Sequence, residues 1–226
     1  MEWGPILLTF KLAGITTVLL LVIAIPLSYW LAYTRSSVRP VVETLVSMPL
    51  VLPPTVIGFY LLMAFSPNNG LGQWLDQVLG LRLVFSFTGL VVASLLYSLP
   101  FMVHPILAGF RNLPDSLREA AALLGKSSVT TIFRVLLPNC QPAVLTGVVL
   151  AFAHTIGEFG VVLMIGGNIP DQTKVASIAI YDEVEALQYG HAHQYAALLF
   201  VLTFCILLTV NLVNGNGFKS FWGKRA

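Results

Sequence analysis

Long runs of apolar residues divide this chain into segments, and polar residues are concentrated in the stretches between them. A helix needs roughly 20 apolar residues to cross a bilayer. Five runs are long enough, and we predict membrane spans over residues 6–33, 44–65, 83–110, 135–165 and 195–213. Such long runs with so few charges are poor candidates for helices of a soluble core. The pattern predicts an all-α integral membrane protein with a single transmembrane domain over residues 1–226.

Composition supports the same class of protein. Hydrophobic residues make up 57% of the chain and charged residues only 10%, with a mean hydropathy of +0.84. Soluble domains carry about 25% charged residues. The formal net charge of +2 is too small to indicate a nucleic-acid partner.

Residues 111–138 are the one long polar interruption that also has a helical pattern. Ser116 and Glu119 have the spacing of a capping box, in which both side chains satisfy free N–H groups at a helix start. Gly125 follows where a helix end favours a residue that tolerates positive φ. A second short helix is predicted to stop at Pro138. The stretch therefore predicts two helices joined by a glycine corner.

The same stretch resembles a known motif, the EAA loop of membrane permeases in bacterial ABC importers. The matching residues, with the motif's spacing intact, are Glu119, Ala120, Ala121, Gly125, Val135, Leu137 and Pro138. The resemblance implies a coupling helix that docks into a groove of a separate ATPase subunit. The coupling residues it implies are Arg118, Glu119, Ala120, Ala121, Gly125 and Lys126. The alternative is a capped amphipathic connector between two membrane helices.

Lysine and arginine positions predict the orientation of the chain. If the spans alternate, nine of these residues fall on one side: Arg35, Arg39, Arg111, Arg118, Lys126, Arg134, Lys219, Lys224 and Arg225. Three fall on the other: Lys11, Arg82 and Lys174. Cytoplasmic loops carry the excess of positive charge. We therefore expect a cytoplasmic EAA-like loop and C-terminus, and an N-terminus outside.

The chain has no motif typical of an enzyme. Gly125-Lys126 suggests a phosphate-binding loop, but Ala120 stands where that motif needs its first glycine. No zinc-protease or serine-hydrolase motif occurs either. We expect no catalysis and no cofactor or metal bound by this chain.

Prolines in the second span suggest a bend. Pro49, Pro53 and Pro54 lie close together, and proline removes a backbone N–H and leaves carbonyls that need another partner in lipid. Pro53, Pro54 and Thr55 are therefore candidates for a bent segment facing a transport pathway. A kinked entry to an ordinary membrane helix is the equal alternative.

The fourth span contains an acidic residue at membrane depth. A carboxylate is costly there, so Glu158 must face protein or water and find a partner. His154, one helical turn earlier, is the nearest candidate. The pathway or gate residues predicted from this segment are His154, Gly157, Glu158, Phe159 and Gly160.

The second outer loop, residues 166–194, carries an acidic cluster at Asp182, Glu183 and Glu185. A solvated helix face is one interpretation. Contact with an extracytoplasmic binding protein is the other.

Three of these segments indicate which family of permeases the chain resembles. The proline-rich motif of residues 49–54, the motif of residues 157–160 and the motif of residues 166–170 are similar to those of the molybdate permease family. Sulfate and tungstate permeases are close relatives. The resemblance implies a type I ABC importer permease fold in the plasma membrane of a bacterium or archaeon, and a homodimer that encloses one pathway for a tetrahedral oxyanion. It also implies two ATPase subunits that use ATP and Mg²⁺, and an extracytoplasmic protein that delivers the oxyanion. A secondary transporter that works without an ATPase is the alternative from another class.

Overall fold

The computed structural model describes residues 2–214, and the basic tail residues Lys219, Lys224 and Arg225 lie outside them. The described chain is helical throughout, with short connections. Its helices are α1 (Gly4–Tyr33), α2 (Arg39–Ser47, extended by a 3₁₀ turn to Leu50), α3 (Pro54–Phe65), α4 (Gly70–Leu79), α5 (Phe87–Arg111), α6 (Asp115–Leu123), α7 (Ser128–Thr131), α8 (Leu137–Asn139), α9 (Gln141–Gly157), α10 (Gly160–Gly166), α11 (Ala176–Glu185) and α12 (Tyr189–Asn214). A π-helical turn over Ile132–Leu136 joins α7 to α8.

Three helices of the described chain are long and apolar enough to cross a membrane alone. They are Gly4–Tyr33, Phe87–Arg111 and Tyr189–Thr209, and they match the first, third and fifth predicted spans. Two bent helix pairs raise the number to five if each pair is one span. The first, third and fifth predicted spans thus correspond to single long helices, whereas the second and fourth coincide with bent pairs.

The second predicted span is bent sharply. Helices Arg39–Leu50 and Pro54–Phe65 are inclined by 112°. Pro53 is extended, with φ −55° and ψ 138°, as is typical of a residue before a proline. Since Pro54 has no N–H to continue the earlier helix, a new helix starts there. We call residues 51–53 the first break.

The fourth predicted span, 135–165, is also discontinuous. The helix pair Ser128–Asn139 and Gln141–Gly157 bends by 87° at Cys140, so the long helix begins at residue 141 and not at 135. At the other end, α9 stops at Gly157 and α10 starts at Gly160. We call residues 158–159 the second break.

Small residues allow the long helices to pack closely. A Cβ added at Gly109 of α5 would lie 2.6 Å from the Ala143 Cβ of α9, and one at Gly147 would lie 3.0 Å from the Met102 carbonyl oxygen. Close approach of this kind is how membrane helices gain packing contacts when no water is expelled. Helix α1 packs on both, and its Ser28 hydroxyl donates to the Val103 carbonyl at 3.2 Å.

Two apolar clusters form most of the interior. The first cluster includes Leu20, Met102, Phe110, Ile132 and Leu136. The second cluster includes Leu12, Leu90, Val161, Ile165 and Ile178. The EAA-like loop packs on the first cluster through Ile132 and Leu136, whereas α3 and α10 pack on the second.

Candidate coupling surface and candidate pathway

The first helix of the EAA-like loop starts without the predicted capping box. Helix α6 begins at Asp115 and its N-cap is Pro114, which is extended (φ −60°, ψ 134°) and makes no side-chain cap. A capping box needs its serine at the extended N-cap position. Pro114 occupies that position, so Ser116 already lies inside the first turn. The capping-box prediction is wrong by two residues.

The end of α6 agrees with the prediction for Gly125. Its φ is 64°, and the N–H groups of Gly125 and Lys126 donate to the Ala122 and Ala121 carbonyls at 2.9 Å and 3.0 Å. This pair of bonds is a Schellman motif, which satisfies the carbonyls that a helix end leaves free. Gly125 therefore gives the corner its turn.

The predicted coupling residues do not all face outward. Glu119, Ala120, Gly125 and Lys126 are exposed, whereas Ala121 is buried. The Arg118 side chain points toward α1. Its guanidinium carbon lies 4.3 Å from the centre of the Tyr33 ring of α1 and its Nη2 lies 3.5 Å from the Asp115 carboxylate. Arg118 thus fastens α6 to α1.

Sequence reasoning did not predict that large apolar side chains beside these residues are exposed. Leu123, Leu124, Val129 and Phe133 are 89%, 73%, 65% and 58% exposed. We call these four residues the apolar patch. Leu123 and Leu124 directly precede Gly125 in the chain, whereas Val129 and Phe133 follow it in the second short helix. Phe133 also lines a groove with Leu21 and Ile25 of α1. A group of exposed large apolar side chains marks an interaction surface.

The first break places Pro53 and Thr55 on the surface. Both are exposed, and Pro54 is half-buried. The bend that the prolines predicted is present. The exposed surface continues along α3, where Phe59 and Tyr60 are also exposed.

The second break is held by its acidic residue. Glu158 is extended (φ −69°, ψ 130°) and only 4% exposed. Its Oε2 accepts a hydrogen bond from Ser94 of α5 at 2.9 Å, and its backbone carbonyl accepts one from Ser177 of α11 at 2.6 Å. Its other carboxylate oxygen, Oε1, has no partner among the described residues. The break is thus tied to two neighbouring helices.

The predicted pairing of His154 with Glu158 does not form. The Nδ1 atom of His154 lies 2.9 Å from the Ser98 hydroxyl, and its ring stacks on Phe101 at 3.9 Å between centres. The prediction assumed one continuous helix through both residues. Because α9 ends at Gly157, Glu158 leaves the helical path and its side chain reaches Ser94 instead.

The two breaks meet in space. A Cβ added at Gly160, the first residue of α10, would lie 2.7 Å from the Pro54 Cβ and 3.5 Å from the Thr55 nitrogen. A Cβ at Gly58 would lie 2.7 Å from the Met164 Cβ. Helix α3 therefore packs directly on α10. The fold brings Pro54, Thr55 and Gly160 together, although they come from two predicted spans.

The acidic cluster of the second outer loop is paired locally. Asp182 accepts hydrogen bonds from the Lys174 ammonium at 2.7 Å and from the Asn168 side-chain amide. The hydrogen bond with Asp182 raises the pKa of Lys174. Glu183 lies 3.5 Å from His191 Nδ1, and Glu185 accepts from the Tyr181 hydroxyl. These pairs favour the interpretation as a solvated helix face.

Comparison with known families identifies the chain. Residues 24–214 match the family of binding-protein-dependent transport system inner membrane components. The chain belongs to this family. Its members are membrane permeases and not enzymes, and the multi-pass arrangement of apolar helices agrees with that class. Within residues 2–214, no group of three or more His, Cys, Asp or Glu side chains is arranged to hold a metal ion.

Several curated permeases are similar over most of their length. The molybdenum transport system permease protein ModB of Azotobacter vinelandii is 48% identical over 210 residues, which cover 92% of each chain. The ModB protein of Haemophilus influenzae is 34% identical over 82% of this chain and 81% of its own. The sulfate transport system permease protein CysT of Salmonella typhimurium is 31% identical over 83% of this chain and 65% of its own.

Solved permease structures have the same fold. A bacterial ABC transporter that imports the acidic polysaccharide alginate matches with a TM-score of 0.76 and 19% identity, over 93% of this chain and 78% of its own. An amino acid ABC transporter matches with a TM-score of 0.59 and 18% identity, over 92% of this chain and 90% of its own. This permease has the type I ABC importer fold that the resemblance implied.

Proposed function

We propose that this permease carries molybdate inward across the membrane as the pathway-forming subunit of an ATP-driven importer. The observation that carries the proposal is the EAA-like loop. It has the form of a helix, a glycine corner and a second helix, and the apolar patch is exposed before and after the corner in the chain. A surface of this kind is suited to insertion into a hydrophobic groove of another protein.

The partner for this surface is an ATPase subunit. Two copies of it, each using ATP and Mg²⁺, face a homodimer of the permease. Glu119, Ala120 and Lys126 lie on the exposed side of the loop with the apolar patch and contact the ATPase, while Arg118 and Ala121 hold the loop on the membrane helices. The permease itself binds no cofactor.

Charge distribution supports a cytoplasmic position for this loop. Among the described residues, the side of the loop carries Arg35, Arg39, Arg111, Arg118, Lys126 and Arg134, and the other side carries Lys11, Arg82 and Lys174. With the basic tail, the excess lies on the side of the loop, as expected for the cytoplasmic side. The N-terminus is then outside and the C-terminus inside.

Substrate identity is proposed from similarity. The relative that is 48% identical is a molybdenum permease, and it aligns over nearly the whole of both chains. Sulfate permeases are similar at 29–32% identity, so sulfate is the second candidate. Tungstate has the same shape and charge as molybdate and is tested with it.

Delivery of the anion requires a binding protein on the outer side. One of the similar structures is an alginate transporter in complex with a periplasmic protein that holds an alginate pentasaccharide. For this permease we propose an extracytoplasmic protein that releases the oxyanion into the pathway between the two protomers. Pro53 and Thr55, exposed at the first break, and the second break beside them are the proposed gate.

Transport then follows alternating access. ATP draws the two ATPase subunits together, the coupling helices carry that movement to the membrane helices, and the gate opens outward to receive the anion. ATP hydrolysis then returns the permease to the inward-facing state. A ligand shifts such an equilibrium only through its different affinity for the two states.

The test is ATP hydrolysis in liposomes that contain the permease and its ATPase. Binding protein loaded with molybdate is compared with the same protein loaded with tungstate, and with a sulfate-loaded binding protein. We expect stimulation by the molybdate form and none by the sulfate form. Stimulation by the sulfate form alone would mean that the substrate is sulfate. Equal stimulation by the tungstate form would mean that the permease accepts both molybdate and tungstate. A permease that transports molybdate without any ATPase would contradict the proposed importer.

A further inference from the structure

The C-terminal end of α5 is where the EAA-like loop joins the membrane helices. Arg111 is the last residue of α5, and α6 begins at Asp115. Just before it, the Phe110 carbonyl accepts a hydrogen bond from the Tyr33 hydroxyl of α1 at 2.9 Å. Displacement of α6 would therefore act on this end of α5 through the chain and on α1 through the contact between Arg118 and Tyr33.

Arg111 also contacts α2, which is distant in the sequence. Its Nη2 atom lies 3.1 Å from each carboxylate oxygen of Glu43. Arg39 of α2 approaches the same carboxylate, with its Nε 3.7 Å from Oε2. Glu43 thus holds one arginine from its own helix and one from α5.

A second contact joins the same two helices one turn further along α2. The Ser47 hydroxyl lies 3.1 Å from His104 Nε2 of α5, and it donates to the Glu43 carbonyl at 2.8 Å. Helix α2 then continues through its 3₁₀ turn to Leu50 and ends at the first break. The segment between the ion pair and the break is short and helical, so movement at Glu43 is carried to the break.

The ion pair between Glu43 and Arg111 contributes little to folding. Their side chains are 32% and 38% exposed. Pairs that are accessible to solvent add little net stability, because their attraction is screened and their side chains lose freedom. Neutral substitutions here should leave the fold intact. A loss of transport in these variants would therefore report on the transmission of movement between helices and not on folding.

We propose that the Glu43–Arg111 ion pair transmits movement of the coupling loop to α2 and, through it, to the first break. The inference rests on the proposed function, since it assumes that an ATPase moves α6. Glu43 and Arg111 are positioning residues: they contact neither the anion nor ATP. Their contact makes α2 follow the end of α5 when the loop is displaced.

The experiment compares Glu43→Gln, Arg111→Gln and the double substitution in liposomes with the partner ATPase and molybdate-loaded binding protein. Molybdate transported per ATP hydrolysed is the quantity measured. Arg82→Gln is the matched control, because it breaks an exposed ion pair of the outer loop, in which Arg82 Nε lies 3.2 Å from Asp76 Oδ2. The exchanged pair, Glu43→Arg with Arg111→Glu, is compared with Arg111→Glu alone.

We expect each neutral substitution to lower the transport ratio at least about five-fold, the lower end of ordinary coupling effects. The double substitution should be no worse than the worse single one, because both remove the same contact. Arg82→Gln should keep the full ratio. The exchanged pair should recover at least half of the ratio that Arg111→Glu loses.

Either of two results would overturn the proposal. One is a full transport ratio for Glu43→Gln, and the other is a double substitution whose loss is the product of the two single losses. If the neutral variants insert poorly, an exchanged pair as defective as Arg111→Glu alone overturns it. A failure of the unaltered permease to stimulate ATP hydrolysis would instead overturn the proposed function itself.

Discussion

Gly125 follows the end of α6 in a backbone conformation that most residues avoid. Its φ is 64°, and an added Cβ would meet no atom within 4 Å. Crowding therefore plays no part, and the requirement for glycine comes from the backbone alone. Side chains other than those of Gly, Asn and Asp make this region costly.

Substitution of Gly125 should follow this backbone rule. We expect Gly125→Ala to cost about 1–2 kcal/mol at the helix end, since Ala is strained at positive φ, and to reduce ATP hydrolysis stimulated by the binding protein. Gly125→Asn should keep most of the stimulation, because Asn tolerates positive φ. Gly80→Ala is the control, with a similar φ of 62° and equally open surroundings at the end of α4. Equal activity of the Ala and Asn variants at 125 would contradict the backbone rule.

Two serines in the EAA-like loop should behave differently. Ser127 is the N-cap of α7, and its hydroxyl accepts from the Thr130 N–H at 3.2 Å. We expect Ser127→Ala to cost about 1 kcal/mol, the usual loss for a cap, and to speed hydrogen exchange of the Thr130 amide. Ser116→Ala should change stability by less than about 0.5 kcal/mol, because Ser116 is exposed and caps nothing. Faster hydrogen exchange throughout α6 in the Ser116→Ala variant would show that Ser116 does cap this helix, as the capping-box prediction held.

The contact between α3 and α10 depends on glycine at its closest point. Gly160→Ala would place a Cβ 2.7 Å from the Pro54 Cβ, so the two helices would have to separate. We expect a loss of about 1–3 kcal/mol, the usual cost of overpacking, measured by thermal unfolding in detergent. Gly157→Ala is the matched control three residues earlier, where an added Cβ meets nothing within 4 Å. Equal unfolding temperatures for the two variants would mean that α3 and α10 do not pack as described.

Helix breaks were the least predictable elements. Pro26 lies inside α1, and Pro100 and Pro105 lie inside α5, yet both helices remain single elements. Pro53 and Pro54 end one helix and start another. A proline frees carbonyls in every case, and neighbouring helices decide whether the chain continues. Sequence therefore indicates where a bend can occur but not which proline makes it.

The environment of Glu158 shows the same limit. Its burial at a protein contact was predictable from the cost of an acidic residue at membrane depth. Its partner was not, because the choice between His154 and Ser94 depends on where α9 ends. The side chain that satisfies it comes from α5, 64 residues earlier in the sequence.

In the whole molecule, two helices connect the side of the EAA-like loop to the side of the two breaks. Helix α1 contributes Leu20 to the first cluster and Leu12 to the second, and α5 contributes Met102 and Leu90 in the same way. The EAA-like loop packs on the first cluster, and α3 and α10, which follow the two breaks, pack on the second. Long helices that belong to both clusters give movement a continuous packed route between them.

Hydropathy predicted the class of protein and the three long apolar helices and, with the EAA-like motif, the loop that faces the ATPase in the proposed function. It could not predict that the apolar patch is exposed. Leu123, Leu124, Val129 and Phe133 have the composition of core residues, yet each is more than half exposed. An exposed apolar residue is recognised from its surroundings and not from its identity.

The most direct test of the account is photo-crosslinking of the permease to its ATPase in intact membranes. A photoreactive phenylalanine analogue replaces Phe133 of the apolar patch, and in a separate protein it replaces Tyr189 at the start of α12. The two positions are both aromatic and are 58% and 62% exposed. The account predicts a crosslink to the ATPase from position 133 and none from position 189. A crosslink from 189 alone, or from neither position while the complex stays assembled, would contradict the assignment of residues 111–138 as the coupling surface.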